Sequence, residues 1–197
     1  MSLPWQLRML FDPEGMHALV LVRAVREVLS MLTERALSRA LDYGCGSRPY
    51  QRYIDAVVRK TIAVDVGSNP GADVLIQADE ALPFPDASMD LVLSFQVLEH
   101  VADYRGYLRE ASRVCKPGGF LVLSAPSVWP YHPHPSDYRR WMHAGLVHDL
   151  AEVGFSMLRT EPVLNPVSTS LQYLLSTCRY MVWHRSRFWR SACRALA

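Results

Sequence analysis

The spacing of hydrophobic positions along this chain changes period twice. Leu21, Val22, Val25, Val28, Leu29 and Leu32 recur at three- and four-residue intervals, with Arg23, Arg26 and Glu27 on the other side. That is an amphipathic helix whose apolar stripe packs on the body. Ahead of it, Asp12-Pro13-Glu14 offers a capping carboxylate, a proline in the first turn and an acid at the positive end of the helix dipole. The helix is predicted to run to about Ser38. From Ala40 the pattern becomes short β-rich runs at Ala40–Tyr43, Thr61–Val66, Val74–Ala78, Met89–Phe95, Phe120–Ser124 and Phe155–Val163. Helices are predicted between them at Tyr50–Val58, Asp103–Cys115 and Ala144–Val153. The second has Asp103 as cap, Tyr107, Leu108, Ala111 and Val114 as its buried face, and Lys116-Pro117-Gly118-Gly119 as its stop. Alternation of this kind gives crossover units and a doubly wound, mostly parallel α/β sheet. The connection Gly67–Asp73 is too short for a helix, and no segment reads as a seventh strand. After Leu164 the pattern returns to helical. The expected organisation is an N-terminal helical cap (1–39), a core (40–163) and a C-terminal helical tail (164–197).

Composition narrows the class. With 197 residues, half hydrophobic and a fifth charged, the chain has the makings of one globular domain and is neither disordered nor fibrous. Arg23 and Arg26 interrupt the best apolar run, so the ~18 to 20 uncharged residues of a membrane span are missing. The first residues show no secretory pattern, which sets the cytoplasm as the expected compartment. Cysteines 45, 115, 178 and 193 form no C-x-x-C pair and read as reduced thiols. Residues 162–197 carry five arginines and no acid, whereas residues 1–161 are mildly acidic.

The chemistry concentrates first in Leu41-Asp42-Tyr43-Gly44-Cys45-Gly46-Ser47-Arg48-Pro49, an apolar strand entering a G-x-G turn and then a helix. Such a turn admits a ligand to the backbone and offers N–H groups to an anion. Asp65, at the end of the next strand beside Val66, stands where an acid accepts both hydroxyls of a ribose. A dinucleotide fingerprint needs Gly or Ala where this chain has Pro49, which disfavours nicotinamide and flavin cofactors. Asp42 would repel a polyphosphate and attract an ammonium. S-adenosylmethionine has the required parts: ammonium, carboxylate, ribose and adenine.

In order over Ala40 to Pro126, the D-x-G-x-G loop 42–46, Asp65, Ala78-Asp79-Glu80 with Leu82-Pro83-Phe84, Asp90 to Ser94 leading into Val97-Leu98-Glu99-His100-Val101, and Lys116 to Gly119 form a specific combination. On these stretches the chain resembles the S-adenosylmethionine-dependent methyltransferases of the Rossmann-like class, type 11 small-molecule group. The resemblance implies that Asp79 accepts from the adenine amino group with Glu80 beside it, and that Ser94, Phe95 and Gln96 wall the methionine portion. Cys45 reads as a small filler of the loop. His100 reads as structural or at the pocket edge. The candidate cofactor set is thus Asp42, Gly44, Cys45, Gly46, Asp65, Val66, Asp79, Glu80, Ser94, Phe95 and Gln96.

The candidate acceptor segment is Ser127 to Trp141, after the fifth strand, rich in proline, aromatic and charged residues. His132 and His134 are the candidate proton acceptors, and Arg139 and Arg140 the candidate anion clamp. Trp129, Tyr131, Asp137 and Tyr138 complete the candidate substrate surface. The bland alternative is a rigid lid whose Asp137, Tyr138 and arginine hydrogen bonds hold it together. An H-P-H spacing without a fourth ligand is thin ground for zinc, and no metal is expected. The expected reaction is direct displacement of a methyl group onto an O or N atom of a small-molecule or lipid/glycan-linked acceptor. A non-catalytic nucleoside-binding protein is the alternative, an NAD-dependent oxidoreductase the more distant one. The basic aromatic tail from Leu171 suits peripheral contact with the inner face of a membrane, packing on the core, or a homodimer contact. Nucleic acid is disfavoured, because Ser94-Phe95-Gln96-Val97 replaces the N/D-P-P-Y/F of nucleic-acid amino-methylating enzymes.

Overall fold

The computed structural model describes residues 13–133 and 136–178. A five-stranded parallel sheet forms the centre: β1 (Leu37–Tyr43), β2 (Val58–Val66), β3 (Val74–Ile76), β4 (Met89–Phe95) and β5 (Cys115–Ser124), in the spatial order β3-β2-β1-β4-β5. The order reverses between β1 and β4, so a crevice opens at their carboxyl ends, where ligands of doubly wound sheets bind. Ala40, Leu41, Ala63, Val64, Leu91, Val92 and Leu93 are wholly buried, as expected for strands covered on both faces.

Helix α1 covers Pro13–Ser30, α2 Gln51–Ile54, α3 Tyr104–Val114 and α4 His143–Glu152, and α5 runs over 166–178. A 3₁₀ turn, Leu98–His100, follows β4. Helix α3 is built as its spacing predicts: Tyr107, Leu108, Ala111 and Val114 are buried, and the Gly106 N–H donates to Asp103 Oδ1 at 2.9 Å. Leu21, Val25, Leu29 and Leu32 are likewise buried, but α1 stops eight residues short of the predicted Ser38. Ser30 and Thr33 turn their hydroxyls back onto the carbonyls of Glu27 and Ser30, and Leu37 is claimed by β1 through its register with Val58. Such local bonds compete with the helical ladder. The same register takes Val58 out of the helix predicted over Tyr50–Val58 and shortens α2 to one turn. Asp12, the proposed cap, lies outside the described residues.

Lys116 to Gly119 belong to β5 rather than to a loop after α3. Lys116 Nζ lies 2.6 Å from Asp90 Oδ1, and Asp90 Oδ2 accepts from the Ser38 and Arg39 amides, so one carboxylate ties the starts of β1, β4 and β5. The predicted sixth strand, Phe155–Val163, does not form. Leu158 is 79% exposed, and Arg159 is drawn to Glu27 and Glu161 instead of into a ladder beside β5. Gly67–Asp73 is a helix-free connection, as its length requires.

The chain divides into two compact units, one comprising 23–127 and 131–161, the other 1–22, 128–130 and 162–197. The first contains the sheet. In the second, the His17 and Trp129 rings lie 4.4 Å apart, and Val128, Leu164 and Tyr173 line a small recess. No helix among the described residues is long and apolar enough to cross a membrane.

Candidate functional site

The sequence-predicted cofactor residues lie at or just after the carboxyl ends of the strands, Asp42 to Gly46 at β1, Asp65 and Val66 at β2, Asp79 and Glu80 after β3, and Ser94 to Gln96 at β4. The two loop glycines have different physical reasons. Gly44 has φ +84°, and a Cβ there would stand 2.5 Å from the Val97 side chain, so it is a packing glycine. Gly46 has φ +52° and faces open space, which leaves its backbone accessible from the crevice. The ligand-approach argument therefore holds for Gly46, while the crowding at Gly44 comes from the protein itself.

Asp42 is 3% exposed, yet no donor among the described residues bonds to its carboxyl group. Burial pushes its pKa up to about 6, with Arg48 pulling down and Asp65 pushing up. Ionising a carboxyl so far removed from bulk water is costly, and a cationic ligand group would add to the compensation that Arg48 gives. Cys45 is buried and its thiol is raised to about 11, first by burial and then by Asp42 and Asp65. This suits a filler and not a nucleophile.

Asp65 is busy. Its Oδ2 accepts from the Gly46 amide at 2.9 Å and from Asn69 Nδ2 at 2.6 Å, and its Oδ1 from the Val66 amide at 2.8 Å. Asn69 also donates to the Gly46 carbonyl at 2.7 Å. Asn69 thus braces the turn against β2, a role that sequence reasoning missed. Its position four residues after Asp65, in the short connection, was the available signal. Arg48 pairs with Asp73, which also accepts from the Ala63 amide.

Asp79 is exposed with φ +60°, and Glu80, also exposed, accepts from the Gln77 amide at 2.6 Å. The Ser94 hydroxyl points into the core, 2.8 Å from Tyr107 Oη, which itself donates to the Tyr43 carbonyl. Phe95 meets Tyr50 edge-on at 4.7 Å. Gln96, at φ +55°, bonds through its amide and side chain to Ser124.

The segment after β5 is arranged differently. Asp137 has a side chain only 1% exposed and is gripped by both Arg140 terminal nitrogens, which hold its pKa well below the usual carboxylate range. It also accepts from the His132 amide at 2.9 Å. Arg139 donates to the carbonyls of Val101 and Ala102 and lies over the Tyr104 ring. The Tyr138 amide reaches the Glu99 carbonyl and the Trp141 indole reaches Asp149. Asp137, Arg139 and Arg140 thus hold the loop to itself and to the turn after β4. Tyr131 and Tyr138 are exposed. His132 is joined by Glu99 and by His100, which the sequence reads as structural or at the pocket edge. His134 lies outside the described residues.

A family model for a methyltransferase domain matches residues 41–123. The chain is 37% identical over 116 residues to a probable S-adenosylmethionine-dependent methyltransferase of Mycobacterium tuberculosis, covering 54% of this chain and 42% of that protein. It is 32% identical over 149 residues to a ubiquinone biosynthesis O-methyltransferase of Caulobacter vibrioides, covering 58% and 56%. It spans about half the length of these curated relatives. The fold matches that of the Burkholderia thailandensis 1,6-didemethyltoxoflavin-N1-methyltransferase, solved with S-adenosylhomocysteine, with TM-score 0.62 and 20% identity, over 75% of this chain and 73% of that one.

Proposed function

We propose that residues 41–123, which match a methyltransferase-domain model and overlap the probable S-adenosylmethionine-dependent relatives, form such a domain of the Rossmann-like class, and that this chain transfers the methyl group to an O or N atom of a small-molecule or lipid/glycan-linked acceptor. The observation that carries the reading is Asp42, 3% exposed at the end of β1, with its pKa raised by burial and by Asp65 and with open space at Gly46 four residues on. Those groups fit the cofactor. Asp42 would face the ammonium and Asp65 the ribose, with Asn69 yielding its place on Oδ2, while the Gly44 and Cys45 amides stay on the Val64 carbonyl and the Gly46 amide on Asp65. Asp79 and Glu80 would take the adenine side.

Bound there, S-adenosylmethionine supplies a methyl group on a sulfonium, a leaving group that needs no further activation. The protein's task is to align the acceptor atom in a site that excludes water. A base is required only for a hydroxyl or a charged amine; His132 is the candidate among the described residues, and His134, the other candidate, lies outside them. The name of the Caulobacter relative supports oxygen as the accepting atom. The tail from Leu171 remains a proposed site of membrane or subunit contact, and residues 179–197 lie outside the described ones.

Calorimetry tests the reading. Wild-type protein is expected to bind S-adenosylmethionine and its demethylated product but not NAD. Asp65→Ala should weaken that binding by about ten- to a hundredfold, the equivalent of one or two hydrogen bonds to a charged group. Unchanged affinity would remove Asp65 from the site. Binding without incorporation of labelled methyl into any cell-extract component would favour the non-catalytic alternative.

A further inference from the structure

Glu99 is 0% exposed, and neither oxygen of its carboxyl group has a hydrogen-bond partner among the described residues. One ligand atom each from Glu99, His100 and His132 lies within 4.8 Å of the others. Glu99 and His100 come from the 3₁₀ turn after β4, and His132 from the segment after β5. Helix geometry did not force this meeting: the turn and the loop are sewn together by the Tyr138 amide on the Glu99 carbonyl and by the Arg139 bonds to Val101 and Ala102. Two imidazoles and a carboxylate are the donor set of zinc and its first-row neighbours.

The surroundings orient both rings. His100 Nδ1 meets the Ser136 carbonyl, and its Nε2 lies 3.8 Å from Glu99 Oε1. His132 Nδ1 lies 3.3 Å from Asp137 Oδ2. A carbonyl or carboxylate against one ring nitrogen is how metal-bound histidines are held, because it fixes the ring and makes the other nitrogen more basic. Arg140 Nη2 is 3.4 Å from His132 Nδ1, but its charge is answered by the two-pronged pair with Asp137. The net charge around the three donors is therefore set by Glu99.

We propose that Glu99, His100 and His132 form a binding site for one divalent transition-metal ion of the zinc class, with a coordination position left for an exogenous oxygen ligand. A set of three protein donors is that of open zinc sites rather than closed structural ones.

The test uses the untagged full chain, stripped with a chelator and titrated with Zn²⁺ by calorimetry and with Co²⁺ by visible absorption. Wild type is expected to take up one Zn²⁺ per chain and to show a ligand-field spectrum with Co²⁺. Glu99→Gln and His132→Ala should each weaken uptake by about tenfold or more and lose that spectrum. Zn²⁺ should raise the melting temperature of wild type and leave that of Glu99→Gln unmoved, with circular dichroism confirming that both variants fold. His132 is part-exposed, so its replacement spares the core if Glu99→Gln does not fold. No uptake by wild type, or equal uptake by wild type and the folded variants, overturns the site and leaves Glu99 as a buried protonated acid. Ion binding measured in this way is independent of whether methyl transfer occurs.

Discussion

The Asp42 side of the crevice, at the end of β1, and the segment from 131 to 141 are both rich in charged and polar residues, and they dispose of them in opposite ways, whereas Asp65 at the end of β2 is engaged like the segment. In the crevice, Asp42 is buried with no donor and Gly46 faces open space. In the segment, Asp137 is saturated by Arg140 and the His132 amide, and Arg139 is spent on two carbonyls. A site that awaits a ligand leaves valences open; a loop that must hold its own shape closes them. Density of functional residue types does not distinguish the two, whereas partner accounting does.

The comparison breaks most sharply at Asp137. If the loop is held by its own ion pair, Asp137→Ala takes the carboxylate from a mostly buried guanidinium that keeps its bond to the Arg139 carbonyl, and should cost about 3 kcal/mol, read by urea or thermal unfolding. The side chain of Arg140 is 24% exposed and that of Asp137 1%, so the loss is reduced as far as water reaches the guanidinium. A cost below about 1 kcal/mol, the size of a surface pair, would mean that the loop is not self-held and that these residues are available to a substrate.

Next in size is the pH dependence that Asp42 imposes. Its folded pKa of about 6 lies above the unstrained 3.8, so between those values the folded chain holds more protons than the unfolded one. Stability attributable to this group is therefore fully present below about pH 4, falls as pH rises and levels off above about pH 6, a loss on the order of 2 to 3 kcal/mol. Asp42→Asn should abolish that slope and make the ligand-free protein more stable near pH 7. Binding moves the other way: an ammonium partner needs the ionised form, so the wild-type affinity for S-adenosylmethionine should climb through about pH 6 while that of Asp42→Asn stays flat and weaker. Parallel profiles for the two proteins would show that Asp42 does not meet the cofactor.

Much of the crevice was legible in the sequence because it is local. Asp42, Gly44, Gly46 and Asp65 sit at strand ends whose apolar runs fix where the strands stop. The strand β4 was read to the residue for the same reason. What escaped depends on which distant residue arrives. Gly44 is required by Val97, Asn69 by the Gly46 carbonyl, and the Ser94 hydroxyl by Tyr107. Phe155–Val163 reads as a strand by composition, but a strand exists only with a neighbour. Arg159 bonded to Glu27 and Glu161 gives the segment another place to go. His100 reads from the sequence as structural or at the pocket edge because nothing local shows that His132 lies beside it and Glu99.

The smallest effect sharpens the comparison within a single turn. Gly44→Ala adds a methyl group 2.5 Å from Val97 at φ +84°, so strain and overpacking together should cost about 2 kcal/mol of stability. Gly46→Ala meets nothing within 4 Å, and φ +52° is the left-handed region that alanine enters at about 1 kcal/mol. Stability alone thus ranks Gly44 as the more important residue. Binding should reverse the order, because the methyl group on residue 46 projects into the space that a ligand must use to reach the loop, while the one on residue 44 presses on Val97 behind it. Measured side by side, Gly46→Ala should lose more affinity for S-adenosylmethionine than stability, and Gly44→Ala more stability than affinity. If both variants lose the two quantities in proportion, the open face of Gly46 is not the approach to the site, and the distinction between a waiting crevice and a closed loop fails at its most local point.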